Sequence, residues 1–143
     1  MNVENIMTRN PICCTPDSRL DEVARMMMTR NCGEIPVVDG ENSRNVVGVL
    51  TDRDIVVRAV SQGKNPLALT AADIMTSPVV TVTPDTRIEE CCRTLESKQI
   101  RRAPVIDRRG YCVGMVALAD IVQHASEKTA AEVVRMVSQP MHA

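Results

Sequence analysis

The chain is written twice, and no other feature limits its fold so tightly. Residues 4–23 (ENIMTRNPICCTPDSRLDEV) recur as ADIMTSPVVTVTPDTRIEEC, so that Met7 pairs with Met75 and Pro16-Asp17 with Pro84-Asp85 at an offset of 68. EIPVVD, from Glu34 to Asp39, pairs with RAPVID, from Arg102 to Asp107, at the same offset. VVGVLTDRDIVV, from Val46, pairs with CVGMVALADIVQ, from Cys112, and here Gly48 and Gly114 are 66 apart. The first copy therefore carries two extra residues around Gly40-Glu41-Asn42-Ser43. Four blocks in one order establish a duplication, which must be read before any single element.

Each copy reads β-α-β-β-α, which defines an α+β fold. Ile12 to Thr15 and Val79 to Thr83 are expected as short strands stopped by Pro. Ser18 and Thr86 follow, each with an acid three residues on (Asp21, Glu89), the pattern that opens a helix. Leu20, Val23, Ala24, Met27 and Met28 then share one helical face, as do Ile88, Cys91, Cys92 and Leu95 in the second copy. Ile35 to Val38 and Ala103 to Ile106 are apolar strands, followed by a third at Val46 to Leu50 and Val113 to Val116. Thr51 begins a helix running through Ile55 and Val56 to a stop at Gly63. The boundaries so drawn are residues 1–64 for the first repeat, 65–71 (with Pro66) for a linker, 72–125 for the second repeat, and 126–143 for a further helix and tail. In that last segment Ala130, Val133, Val134 and Val137 make an apolar stripe after Ser126. A copy of about 60 residues is marginal alone. The two are expected to pack face to face about an approximate two-fold axis, leaving two similar clefts.

Composition narrows the function. Among 143 residues, 17 Lys and Arg balance 18 Asp and Glu, for a net charge of −1, which argues against a general nucleic-acid or anionic-membrane binder. There is no Trp or Phe and a single Tyr, Tyr111, so no ladder of rings exists to stack bases. No apolar run approaches the ~18 residues of a membrane span, and the first residues lack the form of a secretory signal. A cytoplasmic protein with reduced thiols is the expectation. No CxxC pair occurs, and only His124 and His142 are available to join Cys in a metal site, so no metal is expected. The repeat classifies the cysteines. Cys14, Cys32, Cys91, Cys92 and Cys112 stand opposite Val82, Ile100, Val23, Ala24 and Val46, aliphatic positions that a small buried thiol suits. Cys13 stands opposite Thr81 and is expected to be the exposed thiol. Met26, Met27 and Met28 are read as core filling.

Gly48-Val49-Leu50-Thr51-Asp52-Arg53-Asp54 is the segment able to carry chemistry. Gly in a strand admits a ligand or another backbone at close range. Thr51 lies where strand becomes helix, a place where N–H groups favour a phosphate. Asp54 can accept both hydrogen bonds of a ribose diol, and Arg53 can neutralise phosphate. The plain alternative is that Thr51 is an N-cap and Asp54 a first-turn acid, both serving stability alone. Spacing leaves the two readings level.

These residues bring out a resemblance. From Val3 to His124 the chain resembles a tandem pair of CBS domains, the cystathionine β-synthase-type repeat. GVLTDRD matches the family's Gly-h-h-Thr/Ser-x-x-Asp motif (h, apolar), IPVVD and APVID match its strand motif, and both IMT segments match its opening. Within the family it is similar to small stand-alone bacterial members that consist of little more than one pair. The resemblance implies a non-catalytic regulatory module that binds an adenosine-containing ligand (AMP, ADP or ATP, with NAD or S-adenosylmethionine as further possibilities) in the cleft between repeats, as an energy or stress sensor. AMP is the foremost expectation. By the same resemblance Asp54 holds the ribose, Thr51 and Arg53 approach phosphate, Ile35 and Val80 flank the adenine, and Arg101 and Arg102 stand where the family places phosphate contacts. That Arg pair also reads as a solvated turn. The second copy keeps Gly114 and Asp120 but has Ala117 and Ala119 in place of Thr and Arg, so its site is expected to be the weaker one. The family also implies a homodimer formed through helices.

An enzyme is the contrary class, and it lacks support: no Cys-His or Ser-His arrangement is evident. The remaining alternative is a structural or partner-binding stress protein whose nucleotide clefts are vestigial.

Overall fold

The computed structural model describes residues 1–124 and 127–137. In chain order the elements are β1 (Thr8–Arg9), α1 (Leu20–Arg30), β2 (Glu34–Val38), β3 (Val46–Thr51), α2 (Asp52–Arg58), α3 (Ala71–Ile74), α4 (Ile88–Lys98), β4 (Arg102–Ile106), β5 (Cys112–Ala117), α5 (Leu118–His124) and α6 (Glu127–Val137), with short 3-10 turns at Val3–Asn5, Val60–Gln62 and Pro66–Ala68. They divide into two compact units. One comprises residues 11–79 and 109–112, the other 1–10, 80–108 and 113–143. The opening segment of the chain thus belongs with the second repeat, and the opening segment of the second repeat belongs with the first.

The unit of residues 11–79 is built on the antiparallel pair β2–β3, in register from Glu34↔Thr51 to Val37↔Gly48. On one side Cys14 bridges Val37 in parallel, and on the other Thr76 bridges Val49. Cys14, Leu20, Val23, Met27, Ile35, Val37, Leu50, Ala59, Ala71 and Ile74 form its core. The segment expected as a linker is bound into this unit. Leu20 N–H donates to Leu69 O, Ala71 N–H to Ser18 O and Ala72 N–H to Pro16 O. The other unit repeats the plan with β1-β5-β4 in that order and a parallel bridge from Val82 to Val105. Its core gathers Val3, Ile88, Cys91, Cys92, Leu95, Val105, Val116 and Ile121, and adds Val133 from α6.

Several expectations need correction. The strands at Ile12 to Thr15 and Val79 to Thr83 reduce to single bridges at Cys14 and Val82, because the Pro residues beside them leave too few donors for a ladder. Ser18 and Thr86 do not cap α1 and α4. The residues preceding those helices are Arg19 and Arg87, with no side-chain cap. The hydroxyls instead accept from Thr15 N–H at 3.0 Å and Thr83 N–H at 3.1 Å, closing the Pro-containing turns. In α1 the buried stripe is Leu20, Val23 and Met27, while Ala24 is exposed and Met28 is 76% exposed. A helix covered from one side buries a strip narrower than the whole apolar face. α2 ends at Arg58, short of Gly63, and the chain continues as a 3-10 turn before Gly63 closes it at φ +72. In α6 Val133 is buried, whereas Val134 is 57% exposed. The Val137 side chain, Ser126 and the tail from residue 138 lie outside the described residues, as does His142.

The cysteines follow the repeat in part. Cys14, Cys91, Cys92 and Cys112 are buried and Cys32 is half-buried. Burial pushes the Cys14 thiol up to about 12 and the Cys91 thiol up to about 11. Cys13 is not the exposed thiol. It is half-buried, its Sγ donating to Pro11 O at 3.4 Å and accepting from Arg44 Nη2 at 3.2 Å. A hydrogen bond with the Cys112 thiol, and burial after it, hold the Cys13 proton far above the ordinary thiol range.

Candidate functional site

The corner between β3 and α2 is a closed local structure. Thr51 is extended (φ −109, ψ 161) and forms the N-cap of α2. Its Oγ1 accepts from Asp54 N–H at 3.0 Å, while Asp54 Oδ2 accepts from Thr51 N–H at 3.0 Å. This reciprocal pair is a capping box, with Asp in place of the usual Glu or Gln. The plain reading of these two residues is therefore realised in full. It does not exhaust them, since a carboxylate has about four acceptor positions and the cap takes one. The other oxygen, Oδ1, lies 3.8 Å from Arg58 Nε, one helical turn on.

Arg58 was not marked by the motif, yet it bears on the site. Its Nη1 donates to Ile74 O at 2.9 Å, tying α2 to the end of α3. The signal was available in the sequence, because position i+4 from an acid on a helix is the natural place for its cation. Arg53, by contrast, is exposed beside the cap.

Gly48 settles one alternative. A Cβ there would stand 2.6 Å from Met75 Sδ and 3.2 Å from Thr76 O. Thr76 exchanges two backbone hydrogen bonds with Val49, at 2.9 and 3.1 Å. Gly48 thus admits another backbone, the IMT segment of the second repeat. Gly114 does the same for the first, with Met7 Sδ at 2.6 Å and Thr8 O at 3.0 Å from a Cβ.

Of the residues picked out in sequence, Ile35, Thr51, Arg53 and Asp54 fall in the unit of residues 11–79, and Val80, Arg101, Arg102 and Asp120 in the other. β2 and β3 bring Thr51 opposite Glu34, next to Ile35. The Ile35 side chain is fully buried in the core, so it supports this corner from beneath. In the second copy Asp120 Oδ2 accepts from Ala117 N–H at 2.9 Å, half of the capping box, and Ala117 has no hydroxyl for the other half. Leu118 N–H donates to Arg101 O at 3.0 Å, which sets Arg101 and Arg102 beside the first turn of α5.

Two copies of a strand–turn–helix corner, each closed by a Gly-dependent crossing segment and an Asp cap, define a tandem repeat module with the motif of a ligand-binding pair. The CBS-domain family model matches residues 3–61 and 71–127, and the chain belongs to that family. An uncharacterized protein of Methanopyrus kandleri is 35% identical over 86% of this chain, which spans 62% of that relative's length. Hypoxic response protein 1 of Mycobacterium tuberculosis is 31% identical over 96% of this chain and 94% of its own. The crystal structure of hypoxic response protein I, with two coordinated zinc ions, has a TM-score of 0.78 at 28% identity and covers 88% of this chain and 100% of that one. The CBS domain pair of protein MJ0100, in complex with 5′-methylthioadenosine and S-adenosyl-L-methionine, has a TM-score of 0.77 at 28% identity over 86% of this chain and 94% of that one.

No group of three or more His, Cys, Asp or Glu side chains gathers among the described residues. No helix among the described residues is long and apolar enough to cross a membrane.

Proposed function

We propose that this protein is a non-catalytic regulatory module that binds an adenosine-containing ligand at the Thr51–Asp54 corner and reports cellular energy or stress state. The observation that carries this reading is the complete Gly48–Asp54 motif, in which Asp54 retains acceptor capacity beyond its cap and Arg53 lies exposed beside it. The relation to the MJ0100 pair, whose structure holds two adenosine compounds, supports the ligand class. AMP, ADP or ATP is favoured over NAD and S-adenosylmethionine because Arg53 offers a cation to a terminal phosphate. The corner at Asp120, lacking the hydroxyl and the cation of its sister, is the weaker site.

The fully formed capping box also favours a second reading. Thr51 and Asp54 satisfy each other without any ligand, as they would in a structural or partner-binding protein. Calorimetric titration with AMP, ATP and S-adenosylmethionine separates the two. Asp54→Asn keeps an oxygen for the Thr51 N–H but loses the charge and an acceptor for the ribose. It is expected to weaken binding about tenfold or more, the value of one charged hydrogen bond. Arg53→Ala is expected to weaken AMP and leave adenosine unchanged. Failure of every adenosine compound to bind the parent protein overturns the proposal and leaves the structural reading.

The module is further proposed to act as a homodimer in the cytoplasm. Val56, Val57 and Val60 are exposed on and just after α2, an aliphatic surface suited to self-association. Burial of four of the six thiols suits a reducing compartment.

A further inference from the structure

Arg44 is a half-buried cation that meets a sulfur instead of an acid. No carboxylate forms an ion pair with it among the described residues, and its Nε is buried without a hydrogen-bond partner. Its Nη2 donates to Pro11 O and to Cys13 Sγ, both at 3.2 Å, and the guanidinium lies 5.2 Å from the centre of the Tyr111 ring. The backbone of the same residue holds a second cysteine, since Cys112 N–H donates to Arg44 O at 3.0 Å. Arg44 sits at φ +47, in the left-handed region, where the sister turn has Gly110 at φ +82. A backbone conformation that favours glycine thus carries an arginine here, and that arginine fixes Cys13 with its side chain and Cys112 with its carbonyl.

The two thiols so gathered are in hydrogen-bond contact. The repeat does not require either of them, because Thr81 and Val46 stand at the corresponding positions. Their access differs: Cys13 is half-buried and Cys112 is buried. Cys13 is therefore the sulfur that a small oxidant reaches, and Cys112 the sulfur behind it. Cys14, the next thiol in the chain, is committed to the core beside Val37. Closing an S–S bond of ~2.05 Å from hydrogen-bond contact asks for a short approach of two side chains. A guanidinium stabilises an anionic sulfur, and Arg44 offers its hydrogen bonds to no other ionisable group.

We propose that Cys13 and Cys112 form an oxidation site that takes a hydroperoxide and closes into an intramolecular disulfide. The ionised Cys13 sulfur attacks one peroxide oxygen, the O–O bond breaks, and hydroxide leaves and takes up the Cys13 proton. The sulfenic acid on Cys13 is then attacked by the Cys112 sulfur; the S–S bond forms, the S–O bond breaks, and the oxygen departs as water with the Cys112 proton. Two thiols lose two electrons, hydrogen peroxide becomes two waters, and a dithiol reverses the change. Because the contact with Cys112 holds the Cys13 proton in place, ionised sulfur is scarce and closure takes hours. The site is separate from the Thr51–Asp54 corner and does not depend on the nucleotide reading.

Prolonged incubation of the full chain with hydrogen peroxide, followed by unreduced peptide mass mapping, tests this. A Cys13–Cys112 cross-linked peptide is expected. Two of the six thiols should be lost to titration in denaturant, and dithiothreitol should restore both. Cys112→Val, the residue of the sister position, is expected to abolish the cross-link and leave a sulfenic acid on Cys13 that dimedone traps. Arg44→Asn keeps a side chain tolerant of left-handed backbone and is expected to slow closure about tenfold, the worth of one charge-assisted hydrogen bond. In urea the Arg44→Asn and parent chains should oxidise at one rate. Asp54→Asn is expected to close at the parent rate, so failure here and failure of the nucleotide reading are told apart. Six intact thiols after an exposure that oxidises the urea-unfolded chain overturn the inference. A cross-link between other cysteines or between two chains also overturns it, as does over-oxidised Cys13 beside untouched Cys112. The parent map decides these outcomes even where a variant fails to fold.

Discussion

The Gly48–Asp54 and Gly114–Asp120 corners are the same structure with different chemistry, and the pair acts as an internal control. Both keep Gly, because an IMT segment crosses each strand where a Cβ would stand within 2.6 Å of a Met sulfur. Both keep Asp, because each carboxylate accepts the N–H that opens the following helix. The residues shared by the two copies therefore report the fold. Thr51 and Arg53 against Ala117 and Ala119, and Gly33 and Glu34 against Arg101 and Arg102, are the differences, and the proposed inequality of the two corners rests on them. An Asp that looks like a ribose anchor in a motif is in this structure first a helix cap.

The largest expected effect strikes the shared part. Gly48→Val and Gly114→Val should each destabilise the protein by about 1–3 kcal/mol through overpacking, seen as a lower urea midpoint at unchanged slope. Gly114→Val should be the worse, since the carbonyl it meets is nearer, at 3.0 Å against 3.2 Å. Tolerance of Val at either position would show that the crossing segments do not hold the strands, and the control would lose its basis.

The next effect separates the caps. Thr51→Ala should cost about 1 kcal/mol, the worth of a capping hydroxyl, and Ala117→Thr should recover a similar amount by completing the box with Asp120. Thermal melting of both variants reads this directly. Equal Tm changes of opposite sign would confirm that the corners differ at this point by one hydroxyl, whereas a neutral Ala117→Thr would mean that α5 is held by packing alone.

Thiol reactivity compares the copies without mutation. In the native protein at pH 8, Cys32 should react with a disulfide reagent first. Cys14 and Cys91, raised by burial, and Cys13, raised by its bond to Cys112, should react only on unfolding in urea. Early modification of Cys13, located by peptide mass, would refute its closure by Cys112 and Arg44.

The smallest effect concerns the longer turn of the first copy. Asp39 accepts from the Ser43 hydroxyl at 2.6 Å and from Asn45 N–H at 3.0 Å, which holds its carboxyl below the usual carboxylate range. A depressed carboxyl stabilises the fold above its unfolded value of ~3.9, and that stability is lost as pH falls through the folded value. Asp39→Asn should flatten stability against pH in that acid window, lowering it slightly at pH 7 and leaving it unchanged below the folded value. An unchanged acid dependence would remove the turn from the account.

Much of the fold was readable from the chain. β2, β3, β4 and β5 lie within a residue of their expected places, and the stripe of Ile88, Cys91, Cys92 and Leu95 is buried as its spacing requires. The departures from expectation have two sources, one local and one in neighbours far away in the chain. Ser18 and Thr86 had a local alternative, a turn closed by their own hydroxyls, and took it. Cys13 was judged against Thr81 alone, and its real surroundings, Arg44 and Cys112, come from segments that periodicity does not connect. Of the candidate site, the cap that Thr51 and Asp54 form is legible in the sequence. Arg58 is not, because the motif contains no mark of what packs beside it.

The duplication, the element order, the α+β class and the family follow from residue order, since local spacing and turn chemistry act over a few residues and were stated twice. Which opening segment lies on which β3-like strand required the folded chain, because hydrogen bonds between Thr76 and Val49 join residues 27 apart in sequence, through space alone. The same reason explains the two corners. Their Gly and Asp are written in the chain, but whether a corner ends at solvent or against a further helix depends on where α6 packs, and burial of Val133 is a property of three dimensions.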